Sequence, residues 1–208
     1  FQKDDKFINR PDFPEKLASE HPKLAKVEWL MQNQFIPAPP WGKLIKTEFL
    51  KRHNINFINR RSSEDIPWFI NLLESAENFT VSNLRFHVYR KQVQGALTSS
   101  FSPSKFENLL DIVKTESIRL RKDSNKDPLK RLILSFIAYE YVILLSTSAN
   151  FKGGVYFEKY KELTKLKWLL DYDTVKAVRK VKTFQKLMPN SYIPKVLHVY
   201  AKYFVNML

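Results

Sequence analysis

The sequence predicts an all-α fold, and three observations predict it. Apolar residues recur at three- and four-residue spacing along most of the chain. Glycine is scarce, with 4 in 208 residues, which disfavours a parallel α/β fold built on glycine-rich phosphate loops. Short Asn, Ser and Pro clusters fall where helices would start and stop. The length and a hydrophobic content of 44% allow one large domain, or a domain with an extension, around a sizeable core.

The elements follow in order. Residues 1–14, with Pro11 and Pro14, read as an extended polar arm. From Glu15 to Gln32, Leu17, Leu24, Val27, Leu30 and Met31 mark one apolar helix side, interrupted at Pro22. Pro37-Ala38-Pro39-Pro40 reads as a stiff polyproline-like connector, so residues 1–42 form an N-terminal extension and linker and 43–208 the main helical domain. Lys43 to His53 predicts a short basic helix with Leu44, Ile45, Phe49 and Leu50 inward. Ser62-Ser63-Glu64-Asp65 starts a helix over Ile66 to Glu77, with Pro67 tolerated near its beginning. Val81 to Leu97 predicts another, with Leu84, Val88 and Val93 in the core. Ser102-Pro103-Ser104 starts a helix through Phe106, Leu109, Leu110, Val113 and Ile118, and Arg119 to Asp127 follows as a charged loop. Pro128 to Thr147 is the most apolar stretch and predicts the central helix. After a turn at Asn150 to Gly154, Phe157 to Leu170 presents Tyr160, Leu163, Leu166 and Leu170 on one side. Asp173 or Thr174 caps a helix carrying Val175, Val178, Val181 and Leu187; Pro189-Asn190 ends it and Pro194 opens the last helix.

Charge narrows the function. Lys and Arg number 35 against 21 Asp and Glu, a formal charge of +14 that attracts polyanions. Nucleic acid is the expected partner, because Lys and Arg release counterions from dense phosphates. No stretch of about 20 apolar residues could span a bilayer. The absence of cysteine removes disulfides, thiol catalysis, zinc fingers and iron–sulfur clusters. The four His residues, at 21, 53, 87 and 198, show no metal-ligand spacing, and there is neither a P-loop nor a nucleophile elbow. No metal and no cofactor is expected. The chain opens at Phe1 rather than Met, which fits a processed or trimmed form, and no cleavable presequence is visible.

Two basic clusters are candidate phosphate contacts. In the first, Lys43, Lys46, Lys51, Arg52, Arg60 and Arg61 interleave with Trp41, His53 and Phe57, a mixture suited to phosphates and unpaired bases. In the second, Lys176, Arg179, Lys180 and Lys186 share a broad face of one predicted helix.

Several stretches, read in order over roughly residues 80–208, resemble ribonuclease III domains. Ala96-Leu97-Thr98-Ser99-Ser100-Phe101 is similar to that family's Ala-Leu-Thr-His-x-Ser-Phe segment, one residue short and without the His. Leu134 to Val142 resembles the apolar helix after the family's signature. Leu163-Thr164-Lys165-Leu166-Lys167 with Asp173-Thr174-Val175 resembles its Leu-Thr-x-Leu-Arg stretch and the helix that follows. Val196 to Phe204 takes the place of its final helix. Active members hold magnesium with two acids from a Glu-x-x-Leu-Glu-Phe-Leu-Gly-Asp signature and two from a later Asp-x-x-Glu.

The resemblance maps that last pair onto Lys195 and His198, and the signature Asp onto Arg131 and its Gly onto Lys130, with Asp127 and Ser124 standing for the signature's two Glu. Placed instead on Phe106 to Asp111, the signature still leaves Lys and His in the last pair. Cations there would repel Mg²⁺, which wants anionic oxygen ligands. The resemblance therefore implies an inactive domain with a degenerate site at Asp127, Arg131, Lys195 and His198. It is closest in kind to the ribonuclease III-like proteins of the mitochondrial large ribosomal subunit, notably their small fungal form. That implies a structural role in the mitochondrial matrix: gripping ribosomal RNA, contacting neighbouring ribosomal proteins, and pairing with another ribonuclease III-like subunit. Two alternatives stand beside it: an active Mg-dependent nuclease for duplex RNA using Glu107, Asp111 and Glu140, and a helical DNA-binding adaptor.

Overall fold

The central element is the helix that the apolar run at Leu132 announces. The computed structural model describes residues 2–3, 6–7, 12–14, 17, 22–35, 38–58, 62–85, 87–88, 101–187, 192–196 and 199. The helices are α1 (Lys23–Gln32), α2 (Thr47–Arg52), α3 (Asp65–Ser75), α4 (Pro103–Arg121), α5 (Pro128–Ser148), α6 (Gly153–Thr164) and α7 (Lys176–Leu187). A 3-10 turn, Lys167–Asp171, separates α6 from α7. Among the described residues the only strands are a two-residue antiparallel pair, Gln2–Lys3 with Lys6–Phe7. The protein is all-α.

α5 is buried nearly all round. Ile133, Leu134, Phe136, Ile137, Ala138 and Leu144 have no exposed surface, the pattern of a helix enclosed by others. α4 packs along it as a helical hairpin, and α1, α6, the 3-10 turn and α7 cover its remaining sides. Phe136 meets Phe69 of α3 edge to face, centroids 5.6 Å apart, and Tyr141 donates to the Leu163 carbonyl at 3.1 Å. Truncating a ring so enclosed costs about 3–5 kcal/mol. Val27, Met31 and Ala38, all from the predicted extension, belong to the same core; Pro39 and Pro40 of the predicted connector lie in a bend, and Pro37 lies outside the described residues.

Several sequence expectations change. Leu17 is helical and buried, and after Pro22 helix α1 begins at Lys23 and leaves Leu24 exposed. α2 starts only at Thr47, so Leu44 is 95% exposed. Residues 81–85 and 87–88 are not helical, and Leu84 and Val88 face out, not inward; Val93 lies outside the described residues. The cause is tertiary. The Asn83 side chain accepts the Phe13 N–H at 2.7 Å and donates to the Phe13 carbonyl at 3.0 Å, which holds the segment extended beside residues 12–14. α4 runs on through Arg121 and buries Leu120, while Ile118 points outward, one position past the inward Ser117. α6 stops at Thr164, short of the predicted Leu170, and Leu187 falls on the outer face of α7. Pro189-Asn190 lies outside the described residues, while residues 193–196 are helical as the Pro194 start predicts.

A candidate nucleic-acid interface

The site is built where α4 hands over to α5 and where α7 begins. Pro128 opens α5, and Asp127 caps it, its carboxylate accepting the N–H groups of Leu129 at 2.9 Å and Lys130 at 3.3 Å. Lys130 turns back to Asp123 at 2.8 Å, a contact that raises the lysine's pKa and lowers the aspartate's. Ser124 is buried in the loop. Its hydroxyl donates to the Arg121 carbonyl and lies 3.1 Å from the Tyr172 hydroxyl, so the loop is pinned to the segment before α7.

One turn along α5, the Arg131 guanidinium lies over the Tyr172 ring, 5.8 Å from its centre. A further turn on, the Ser135 hydroxyl donates to Thr174 Oγ1 at 3.0 Å. From the other side Arg179 of α7 donates to the Thr174 carbonyl at 3.4 Å. Arg131 and Arg179 thus flank the 172–174 segment, which brings Arg131 to the predicted α7 stripe.

α7 buries Val178 and Val181 and carries no acid. Lys176, Arg179, Lys180 and Lys186 lie on its exposed side. Lys176 and Lys186 have no carboxylate partner among the described residues. Lys176 also sits in the first turn, where the helix dipole disfavours a cation. Lys182, on the inner flank, is spent on Asp173 at 3.1 Å and Asp171 at 3.5 Å, which raise its pKa against the opposing effect of burial.

The first predicted cluster divides. Lys43 turns inward, its ammonium on the Pro39 carbonyl and 5.8 and 5.4 Å from the ring centres of Trp68 and Phe69. Lys46, Lys51 and Arg52 are exposed, and Trp41 stacks on the His87 ring at 4.7 Å. Arg60 and Arg61 lie outside the described residues, as does His198 of the degenerate site. Lys195 is exposed and shares no contact with Asp127 or Arg131.

The acids of the nuclease alternative do not converge. Glu107 and Asp111 line a shallow depression on α4 with Asn108 and Lys114, and Glu107 is held by Lys159 at 2.6 Å. Glu140 is buried in α5, where burial first and Asp65 second push its pKa up to about 8. Among the described residues, no group of three His, Asp or Glu side chains is placed to share a metal ion. No family model, curated protein or solved structure matches the chain.

Sequence reasoning passed over Arg121, Trp168 and Tyr172. Arg121 falls in the predicted charged loop, and no sequence motif singles out Trp168 or Tyr172. The Arg121 guanidinium in fact lies 4.3 Å from the centre of the Trp168 ring. The residues are far apart in sequence, and no local pattern joins them.

Proposed function

We propose that this chain is a non-catalytic RNA-binding subunit of a ribonucleoprotein, ribonuclease III-like in fold. The assembly implied by its sequence resemblance is the large subunit of the mitochondrial ribosome, in the matrix. There it grips ribosomal RNA beside neighbouring proteins, one of them a second ribonuclease III-like subunit. The observation that carries the reading is the acid-free cationic face of α7, joined through Thr174 and Tyr172 to Arg131. Lys176 and Lys186, which have no carboxylate partner among the described residues, offer their charge to phosphates. The arginine at the signature position stands on an aromatic ring, and the nearby Asp127 is committed as a helix cap, so this corner favours an anion over a cation.

The test has two parts. Purified protein should bind structured RNA with an affinity that falls linearly on a log–log plot against salt, and should leave the RNA intact in Mg²⁺. Tagged protein should co-sediment with large ribosomal subunits and crosslink to ribosomal RNA. Mg²⁺-dependent cleavage of duplex RNA, lost on Asp111→Ala, would instead establish the nuclease. A preference for duplex DNA would establish the adaptor.

A further inference from the structure

We infer that Arg121 and Arg131, each mounted on an aromatic ring at the turn end of the α4–α5 hairpin, form a two-point clamp for the RNA sugar–phosphate backbone. This rests on the RNA-binding reading above and names a contact surface beyond the α7 stripe.

The four side chains form a chain across the hairpin end. Arg121, the last residue of α4, lies over Trp168; Trp168 meets Tyr172 edge to face, centroids 6.0 Å apart at 79°; and Arg131 lies over Tyr172. Both arginines are exposed, and neither side chain has a carboxylate partner or hydrogen bond among the described residues. A guanidinium on a ring face keeps its in-plane N–H donors free, and the ring fixes where they point. That is the arrangement for phosphate oxygens, which accept two parallel donors.

Arg119 supplies the contrast. Two residues earlier, on the opposite side of α4, its guanidinium binds Glu74 at 2.6 and 3.1 Å and Glu116 at 2.9 Å, so most of its donors are already engaged. The acids near the clamp are already occupied: Asp123 by Lys130, Asp127 by the start of α5, Asp171 and Asp173 by Lys182. Lys122, Lys126 and Lys167 stand exposed nearby with no such partner, so the surface keeps a net positive charge. The recognised chemistry is phosphate rather than base. The ring surfaces are engaged by the arginines and by each other, which leaves no open platform for a nucleobase.

The experiment compares salt-dependent RNA binding of the full chain with that of the Arg121→Ala/Arg131→Ala double variant, on poly(U), poly(A) and an RNA duplex. A Lys114→Ala/Lys159→Ala variant loses the same charge from the ion-paired side and serves as the control. The clamp variant should lower the slope of log affinity against log salt by about 1.4 on both single strands and about 1.8 on the duplex, while the control keeps the parent slope. Circular dichroism establishes that each variant is folded. Arg121→Lys/Arg131→Lys keeps the charge on a flexible stem, and should restore most of the slope but less of the affinity. Parent protein that binds RNA while the clamp variant keeps its slope overturns the clamp alone. Parent protein that does not bind RNA overturns the RNA reading and the clamp with it. A loss confined to one homopolymer overturns the phosphate assignment.

Discussion

Two regions of this molecule are made from the same residues and do opposite things with them. Where α4 faces α3 and α6, Arg119, Lys114 and Lys159 each meet an acid. Arg119 sits between Glu74 and Glu116, Lys114 binds Glu162, and Lys159 binds Glu107 and Glu162. At the hairpin end and on α7, Arg121, Arg131, Lys176 and Lys186 have no carboxylate partner among the described residues. The difference lies in what stands opposite. A carboxylate within reach turns a basic residue into part of the scaffold. An aromatic ring, or open solvent, leaves its charge for a partner. Net charge alone does not separate the two, and the pairing does.

The largest effect concerns an acid that neither region neutralises. Glu140 is buried in α5 without a cation, and burial raises its pKa to about 8. The folded state therefore binds this proton more tightly than the unfolded chain. Its contribution to stability is whole below about pH 4.5 and declines as the pH rises toward about 8. Glu140→Gln should remove that decline, leaving the protein a few kcal/mol more stable above pH 8 and little changed in acid. Urea melts across the range measure it. Parallel pH profiles for variant and parent would show that Glu140 finds a compensating partner.

Next in size is the α7 face. Lys176→Ala/Arg179→Ala/Lys186→Ala should lower RNA affinity on the order of a hundredfold at low salt, with almost no change in thermal stability. The control that lowers the charge in the ion-paired region should do the reverse. If both weaken RNA equally, only net charge matters and the contrast between the two regions dissolves.

A third prediction concerns Arg119. Replacing Glu74 by Gln breaks its two-oxygen contact, and because the arginine is partly exposed the cost should be about 1 kcal/mol, shrinking in high salt. Thermal melts at low and high salt read it, and RNA binding should not move.

How much of this was legible in the sequence follows the range of the forces. α5 was readable because Asp127-Pro128 and the apolar run after it are local: a cap, a rigid first residue and a buried face within one segment. The α7 stripe was readable for the same reason, since one helical period sorts Val178 and Val181 from Lys176, Arg179, Lys180 and Lys186. The region around Leu84 was not, because Asn83 bonding to Phe13 overrides a pattern that suits a helix. The Arg121–Trp168 contact was invisible for a related reason. Two arginines in one short stretch look alike, and only the fold sets one against Glu74 and the other against a ring. The pairing of charges is a tertiary property, so the basic residues that meet an acid and those that do not cannot be sorted by composition.

The smallest effect probes the shared acid of the paired region. Glu162 is contacted by both Lys114 and Lys159, and the Lys114 hydrogen bond leads in lowering its pKa. A carboxylate with a lowered folded pKa adds stability above its unfolded value of about 4.5, and that stability drains away as the pH falls through the lower folded value. Glu162→Gln should therefore cost about 1 kcal/mol or less near neutrality and nothing in strong acid, flattening the acid limb. That limb runs opposite to the one assigned to Glu140, so the double variant should show neither slope. An acid limb that survives in Glu162→Gln would place the acid sensitivity in another pair, Glu74–Arg119 being the first to examine.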